Sequence, residues 1–174
     1  MKTMKLLCLV GASVLTLALT ETARADALNV SVGYQYLETH IDGVGDADVS
    51  ALVLRGERSL SPLVSLEGEL ALGVDDDSLA GGSVNLDYSF SAFVAARVPF
   101  TGKWSLHGRL GAVAVAYDIS DIVAPDLRNE WAPAAGVGAQ YQFASGRALR
   151  LDYTRQEFDD ADVDSASLSL NLRF

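Results

Sequence analysis

Eight separate stretches of this chain alternate apolar and polar residues with a period of two, and none carries a sustained period of 3.6. Successive side chains on a strand point to opposite sides, so the pattern restricts the chain to strands with two chemically different faces. The clearest stretch sets Val84, Leu86, Tyr88, Phe90, Ala92, Val94, Ala96 and Val98 against Ser83, Asn85, Asp87, Ser89, Ser91, Phe93, Ala95 and Arg97. The last stretch puts Leu168, Leu170, Leu172 and Phe174 on one face and Ser167, Ser169, Asn171 and Arg173 on the other. No polar tail follows the aromatic, an unusual finish for a soluble domain.

The remaining six stretches begin near Leu28, Ser50, Val64, Trp104, Ala135 and Leu149. In the second, Leu52 and Leu54 define the apolar side and Arg55 and Glu57 the polar one, while Ala51 and Val53 blur the distinction. Helix is expected to be negligible. Short turns with Pro or Gly, around 59–62, 99–103 and 144–147, alternate with longer connections at about 38–49, 74–82, 118–130 and 157–164. An even number of strands, with short turns at one end and long loops at the other, is the layout of an outer-membrane barrel. The expected fold is all-β, an eight-stranded antiparallel up-and-down transmembrane β-barrel over residues 26–174.

The first 25 residues have a different character. Lys2 and Lys5 precede an apolar run from Leu6 to Leu19, and Ala23-Arg24-Ala25 offers small residues at the two positions a signal peptidase reads, so cleavage is expected before Asp26. The run is shorter than the ~20 residues that a membrane-spanning helix needs. Cys8 lies too early and follows Leu7, which does not suit a lipoprotein signal. With Cys8 removed the mature chain has no cysteine, and disulfides contribute nothing.

Charge excludes one class of partner. The whole chain has 13 Lys+Arg and 23 Asp+Glu; Lys2, Lys5, Arg24 and Glu21 leave with the signal, so the mature chain keeps 10 and 22, a net of −12. Nucleic acid rewards clustered Lys and Arg, and is not an expected partner.

Periodicity alone does not decide whether the apolar face points into a core or out into lipid, and a soluble lipocalin-like barrel would also have eight alternating strands. Three features favour lipid. Several stretches reach the ~9–11 residues that cross a bilayer at a tilt. Trp104, Phe143 and Phe174 fall near the short turns, and Tyr34, Tyr36 and Tyr88 towards the long loops, as interfacial girdles would. The polar faces also balance: Arg55, Arg97, Arg109, Arg150 and Arg173 against Glu57, Glu67, Glu69, Asp87 and Asp152. An eight-stranded barrel has room for side chains and little else, so these ten are expected to form an interior charge network. Gly33, Gly111, Gly136 and Gly138 share that face and leave space for the arginines.

With the faces so placed, the export signal, the eight strands, the LEGEL run at Leu66–Leu70, the GRLG run at Gly108–Gly111 and the terminal Phe174 resemble small bacterial outer-membrane barrels of the OmpA transmembrane-domain type, also grouped as porin-like β-barrel domain proteins. The resemblance spans the whole mature chain, and its specificity lies in the ordered pattern rather than in any one motif. It implies localisation in the outer membrane of a Gram-negative cell, among outer-membrane lipid and lipopolysaccharide. It also implies that Leu168, Leu170, Leu172 and Phe174 are the signal read by the barrel assembly machinery. OmpA-type proteins often add a soluble peptidoglycan-binding domain after the barrel; ending at Phe174, this chain is expected to lack that tether.

The long connections hold 16 of the 22 mature acids: Glu38, Asp42, Asp46, Asp48, Asp75, Asp76, Asp77, Asp118, Asp121, Asp126, Glu130, Glu157, Asp159, Asp160, Asp162 and Asp164, against Arg128. Solubility and mutual repulsion of exposed loops account for such a rim. A sharper alternative is Ca²⁺ or Mg²⁺ held by Asp75–Asp77, or by Asp42, Asp46 and Asp48, although neither follows an EF-hand pattern. Ser105 and His107 share the inward face but lie beside a short turn, and His40 has no serine neighbour, so no catalytic residue is assigned. The expectation is a monomeric barrel without cofactor or metal, in a structural or surface-interaction role: membrane integrity, adhesion, or contact with lipopolysaccharide and cations. Alternatives are a periplasmic lipocalin-like binder, for which strand 1 reads Gly33-Tyr34-Gln35 rather than Gly-x-Trp, then a narrow channel or a lipid A-modifying enzyme.

Overall fold

The computed structural model describes residues 28–41, 45–79, 82–120, 128–144, 146–159 and 161–173. They form β1 Asn29–Ile41, β2 Gly45–Ser59, β3 Val64–Gly73, β4 Asp76–Leu79, β5 Gly82–Thr101, β6 Trp104–Ser120, β7 Arg128–Gln142, β8 Ala148–Glu157 and β9 Ala161–Arg173. No helix occurs among the described residues. All pairings are antiparallel, in the order β3-β2-β1-β9-β8-β7-β6-β5-β4, and a further pairing of β3 with β5 closes the sheet on itself. The short β4 continues β3 beyond Val74 and Asp75 along the same partner, β5, so the wall is an eight-stranded up-and-down barrel.

The first and last strands seal the cylinder in register from Asn29↔Arg173 to Ile41↔Ala161. The short turns are tied locally. Ser61 Oγ accepts from the Leu63 and Val64 amides at 3.3 and 3.1 Å. In the β7–β8 turn, Gly146 takes the left-handed φ of 79° while the Phe143 amide donates to the Arg147 carbonyl at 2.8 Å.

The apolar face points outward. Val32, Tyr34, Leu52, Leu54, Val94, Leu106, Leu110, Val137, Leu151 and Leu168 are all exposed, Leu110 by 69%. A monomer in water rarely shows a continuous apolar belt around its whole girth, whereas lipid demands one. A lipocalin-like barrel would put the opposite face outside.

The alternation does not keep one phase along the strands. On β1, Val32, Tyr34 and Tyr36 face out, but two residues further the outward positions are Glu38 and His40, while Leu37, Thr39 and Ile41 turn inward and are buried. On β2, Asp46 and Asp48 face out and Ala47, Val49, Ala51 and Val53 face in. The outer face turns polar where the wall leaves the apolar belt, because above that level it meets water, and the inner face there is a small hydrophobic core that already begins at Ala51 and Val53. This inversion extends the strands into segments expected as long connections: most of 38–49 and 157–164 is strand.

Candidate functional site

The lumen has two tiers. Nearer the short turns it is filled by ions. Arg150, wholly buried, grips Glu67 through Nη1–Oε1 at 2.7 Å and Nη2–Oε2 at 3.0 Å, and bonds Asp152 at 2.9–3.0 Å. Arg55 reaches Glu69 at 2.6 Å, Asp152 Oδ2 at 3.0 Å and Ser169 Oγ at 3.3 Å. Arg109 bonds Glu69 and donates to Thr154 Oγ1, and its guanidinium lies 4.4 Å from the centre of the Phe93 ring. Arg97, 29% exposed at its side chain, holds both Glu57 oxygens at 2.9 and 3.0 Å. His107 Nε2 donates to Asp152 Oδ1 at 2.6 Å, since an ionised carboxylate can only accept.

Arginines thus meet carboxylates throughout this tier of the wall. The strand register explains why so many bonds are needed. Glu57 on β2 lies directly opposite Glu67 on β3, a like-charge pair that would be repulsive alone. Arg97 neutralises the first and Arg150 the second. Two glycines make the space: a Cβ at Gly138 would lie 2.4 Å from His107 Nε2, and one at Gly136 would lie 3.0 Å from Arg109 Nε. Arg55 Nη2, His107 Nδ1 and Ser167 Oγ have no hydrogen-bond partner among the described residues, so the packing around Asp152 is dense but not fully satisfied.

Towards the other mouth the lumen is apolar. Leu37, Ile41, Val49, Val53, Leu86, Phe93, Val113, Val115, Ala132 and Val163 form one buried cluster, and Phe158, from the β8–β9 turn, joins it. The Phe158 amide donates to the Ala161 carbonyl at 2.8 Å. An apolar lining offers an ion nothing in place of its hydration shell, in contrast to the charged tier below it.

Outside that mouth the surface is acidic. Glu38, Asp46, Asp48, Asp75, Asp87, Glu157, Asp159, Asp162 and Asp164 stand on the rim. Arg155 counters part of this, bonding Asp162 at 2.6 Å and Asp164 at 3.2 Å, while Tyr153 donates to Asp164 at 2.7 Å and His40 pairs with Asp46.

Of the residues expected in the interior, Arg55, Glu57, Glu67, Glu69, Arg97, Arg109, Arg150 and Asp152 are brought together there. Asp87 is not. A bulge between Leu86 and Tyr88 turns Leu86, expected on the lipid face, into the apolar cluster and leaves Asp87 exposed on the rim. The Arg173 side chain and all of Phe174 lie outside the described residues, as do the signal and Asp42, Asp121, Asp126 and Asp160. The side chains of Asp76, Asp77, Asp118, Arg128 and Glu130 do so too. Leu168 and Leu170 face outward as expected, and Leu172 is half-buried.

Sequence reasoning missed His107 as a member of the ion network, although its place between Ser105 and Arg109 on the inward face was the available signal. Its ring bonds Asp152 and no serine among the described residues. Also missed was Arg155, whose outward position beside two aspartates emerges only from the β8–β9 register, Arg155↔Asp164. Among the described residues no group of three or more side chains is arranged to hold a metal ion.

No curated protein sequence matches the chain. Among solved structures, the attachment invasion locus protein Ail of Yersinia pestis is 21% identical with a TM-score of 0.64, covering 86% of this chain and 99% of its own. The same protein in complex with the heparin analogue sucrose octasulfate gives 20% and 0.63, with the same coverage. Neisserial surface protein A is 12% identical with a TM-score of 0.65, covering 84% of this chain and 97% of its own. At these identities the likeness is one of fold. Residues 5–174 match the family described as outer membrane protein beta-barrel domain, which takes in every strand of the barrel and its charged lumen. The chain belongs to that family of outer-membrane β-barrels.

Proposed function

We propose that this chain is a closed outer-membrane barrel that works at its surface, in membrane integrity, adhesion or contact with lipopolysaccharide and cations, rather than as a pore or an enzyme. It is exported by residues 1–25 to the outer membrane of a Gram-negative cell. The barrel assembly machinery reads Leu168, Leu170, Leu172 and Phe174, and the folded protein is a monomer without cofactor. The observation that carries this reading is the division of charge: paired ions fill the lumen, and an excess of carboxylates crowds the mouth.

That rim favours a cationic partner. Ail has been seen with a polysulfated ligand, but here the described rim carries Glu38, Asp46, Asp48, Asp75, Asp87, Glu157, Asp159, Asp162 and Asp164 against Arg155, and a polyanion would meet repulsion. The test is titration of the barrel, folded in phosphatidylcholine vesicles, with a lysine-rich peptide and with sucrose octasulfate. The peptide is expected to bind in a salt-sensitive way, and more weakly to Glu38→Gln/Asp46→Asn/Asp48→Asn/Asp75→Asn. Binding of the polysulfate at equal or higher affinity would overturn the choice of partner. Steady conductance of the purified barrel in planar bilayers would overturn the closed lumen.

A further inference from the structure

We infer that the corner where β6, β7 and β8 meet at the short-turn end binds the phosphate headgroup of an anionic glycerophospholipid in the leaflet on that side. This rests on membership of the membrane-barrel family and is independent of what the acidic rim binds.

Three outward-facing aromatics form a ladder at this corner. Trp104 and Tyr141 have ring centres 4.9 Å apart, and Tyr141 and Phe143 are 5.2 Å apart in an edge-on arrangement. Lys103 lies over the ladder, its Nζ 6.0 Å from the centre of the Tyr141 ring. Arg147 is brought alongside by the neighbouring turn. Gln142 ties the two turns together: its amide donates to the Lys103 carbonyl at 2.8 Å, and its side-chain Nε2 donates to the Arg147 carbonyl at 3.2 Å.

Two exposed cations on linked turns, above a patch of amphipathic rings, match the chemistry of a headgroup phosphate with its glycerol and first methylenes below. Aromatic rings settle at the membrane–water boundary, and Lys and Arg supply charge-assisted donors to phosphate oxygens. Charge complementarity identifies the occupant. Among the described residues, the outward and turn positions at this end carry Arg58, Lys103 and Arg147 and no carboxylate. The acids at the same level, Glu57 and Glu67, point into the lumen and are already paired with Arg97 and Arg150. A zwitterionic headgroup presents its own ammonium to the two cations, whereas phosphatidylglycerol presents net negative charge alone.

The experiment uses the full mature barrel folded into vesicles of equal phosphatidylcholine and phosphatidylglycerol, released intact, and analysed by native mass spectrometry for retained lipid. A cation near a membrane surface contributes roughly fivefold in affinity for anionic lipid. The wild type should therefore retain phosphatidylglycerol in clear preference, Lys103→Gln/Arg147→Gln should fall towards parity, and Lys103→Arg/Arg147→Lys should keep the preference. Arg155→Gln, at the opposite end, should match the wild type. No preference in the wild type, or an undiminished one in the double glutamine variant, overturns the proposal. Should that variant fail to show the heat-modifiable migration of a folded barrel, the wild type decides the matter: a preference that survives high salt unchanged overturns it.

Discussion

Arg150 binds Glu67 and Asp152 at the centre of the ionic tier, and replacing it with methionine measures what the network contributes. The guanidinium makes two bonds to Glu67 and closes on Asp152 from the adjacent inward position of its own strand. Asp152 would keep Arg55 at 3.0 Å and His107 at 2.6 Å. Among the described residues Glu67 would keep only Arg109, at 3.7 Å, and would be an undercompensated buried carboxylate. Stranding a buried charge in this way costs about 3–5 kcal/mol. That lowers the folding equilibrium constant by roughly two to nearly four powers of ten. Arg97→Met provides a comparison: it leaves the buried Glu57 with Arg150 at 3.7 Å, and because Arg97 itself is 29% exposed, its loss should fall at the low end of the same range, about 3 kcal/mol. The assay is urea unfolding of the barrel in vesicles, followed by tryptophan fluorescence and checked by heat-modifiable migration. Adding Glu67→Leu to Arg150→Met removes the stranded charge, so the double variant should be more stable than the summed single losses by about 1–3 kcal/mol. A loss below about 1 kcal/mol for Arg150→Met, or strict additivity in the cycle, would refute the account of an obligatory ion tier.

Leu110→Arg tests the outward face: at a lipid-exposed position midway along β6 it should cost about 2–4 kcal/mol in the same unfolding assay, whereas on a water-facing surface it would cost under about 0.5 kcal/mol. Gly138→Ala would place a methyl 2.4 Å from both the Leu151 carbonyl oxygen and His107 Nε2, and should lose at least about 1–3 kcal/mol by the same measurement. Gly68→Ala, which meets nothing within 4 Å, should be nearly neutral. Leu37→Ala removes a buried leucine from the apolar tier and should cost about 2–4 kcal/mol, measured by the shift in urea midpoint.

The strand count, the antiparallel order and most of the ionic residues of the lumen were legible in the sequence, because a period of two fixes which residues share a face and composition then labels the faces. Two features were not. Asp87 keeps perfect alternation in a simple count, with Asn85 before it and Ser89 after, and nothing local announces the bulge between Leu86 and Tyr88. The second is the exchange of polarity at the mouth. Ala51 and Val53 look like noise in a strand whose apolar side is Leu52 and Leu54, yet they belong to a second apolar surface that faces inward and continues through Val49 and Ala47. A single label per face cannot represent a strand that crosses from lipid into water. The signal was present: Ala47-Asp48-Val49 alternates cleanly once the phase is allowed to change.

That exchange of phase also fixes how deep the barrel sits. On β1 the outward residue changes from Tyr36 to Glu38 in two positions, a rise of about 7 Å. At the neighbouring strands the same level is marked by Asp48 and Asp164, the register partners of Glu38. Sinking the barrel by one such step would bring these carboxylates towards hydrocarbon, and raising it would expose Tyr34 and Leu52 to water. The short-turn end opposes both movements with its ladder of Trp104, Tyr141 and Phe143. Inside, the boundary between tiers falls at Phe93, which contacts Arg109 from one side and belongs to the apolar cluster on the other. The inner change lies deeper than the outer one: on β2, Ala51 and Val53 already face the apolar lumen where Leu52 and Leu54 still face lipid, so the apolar tier begins inside the belt and continues above it.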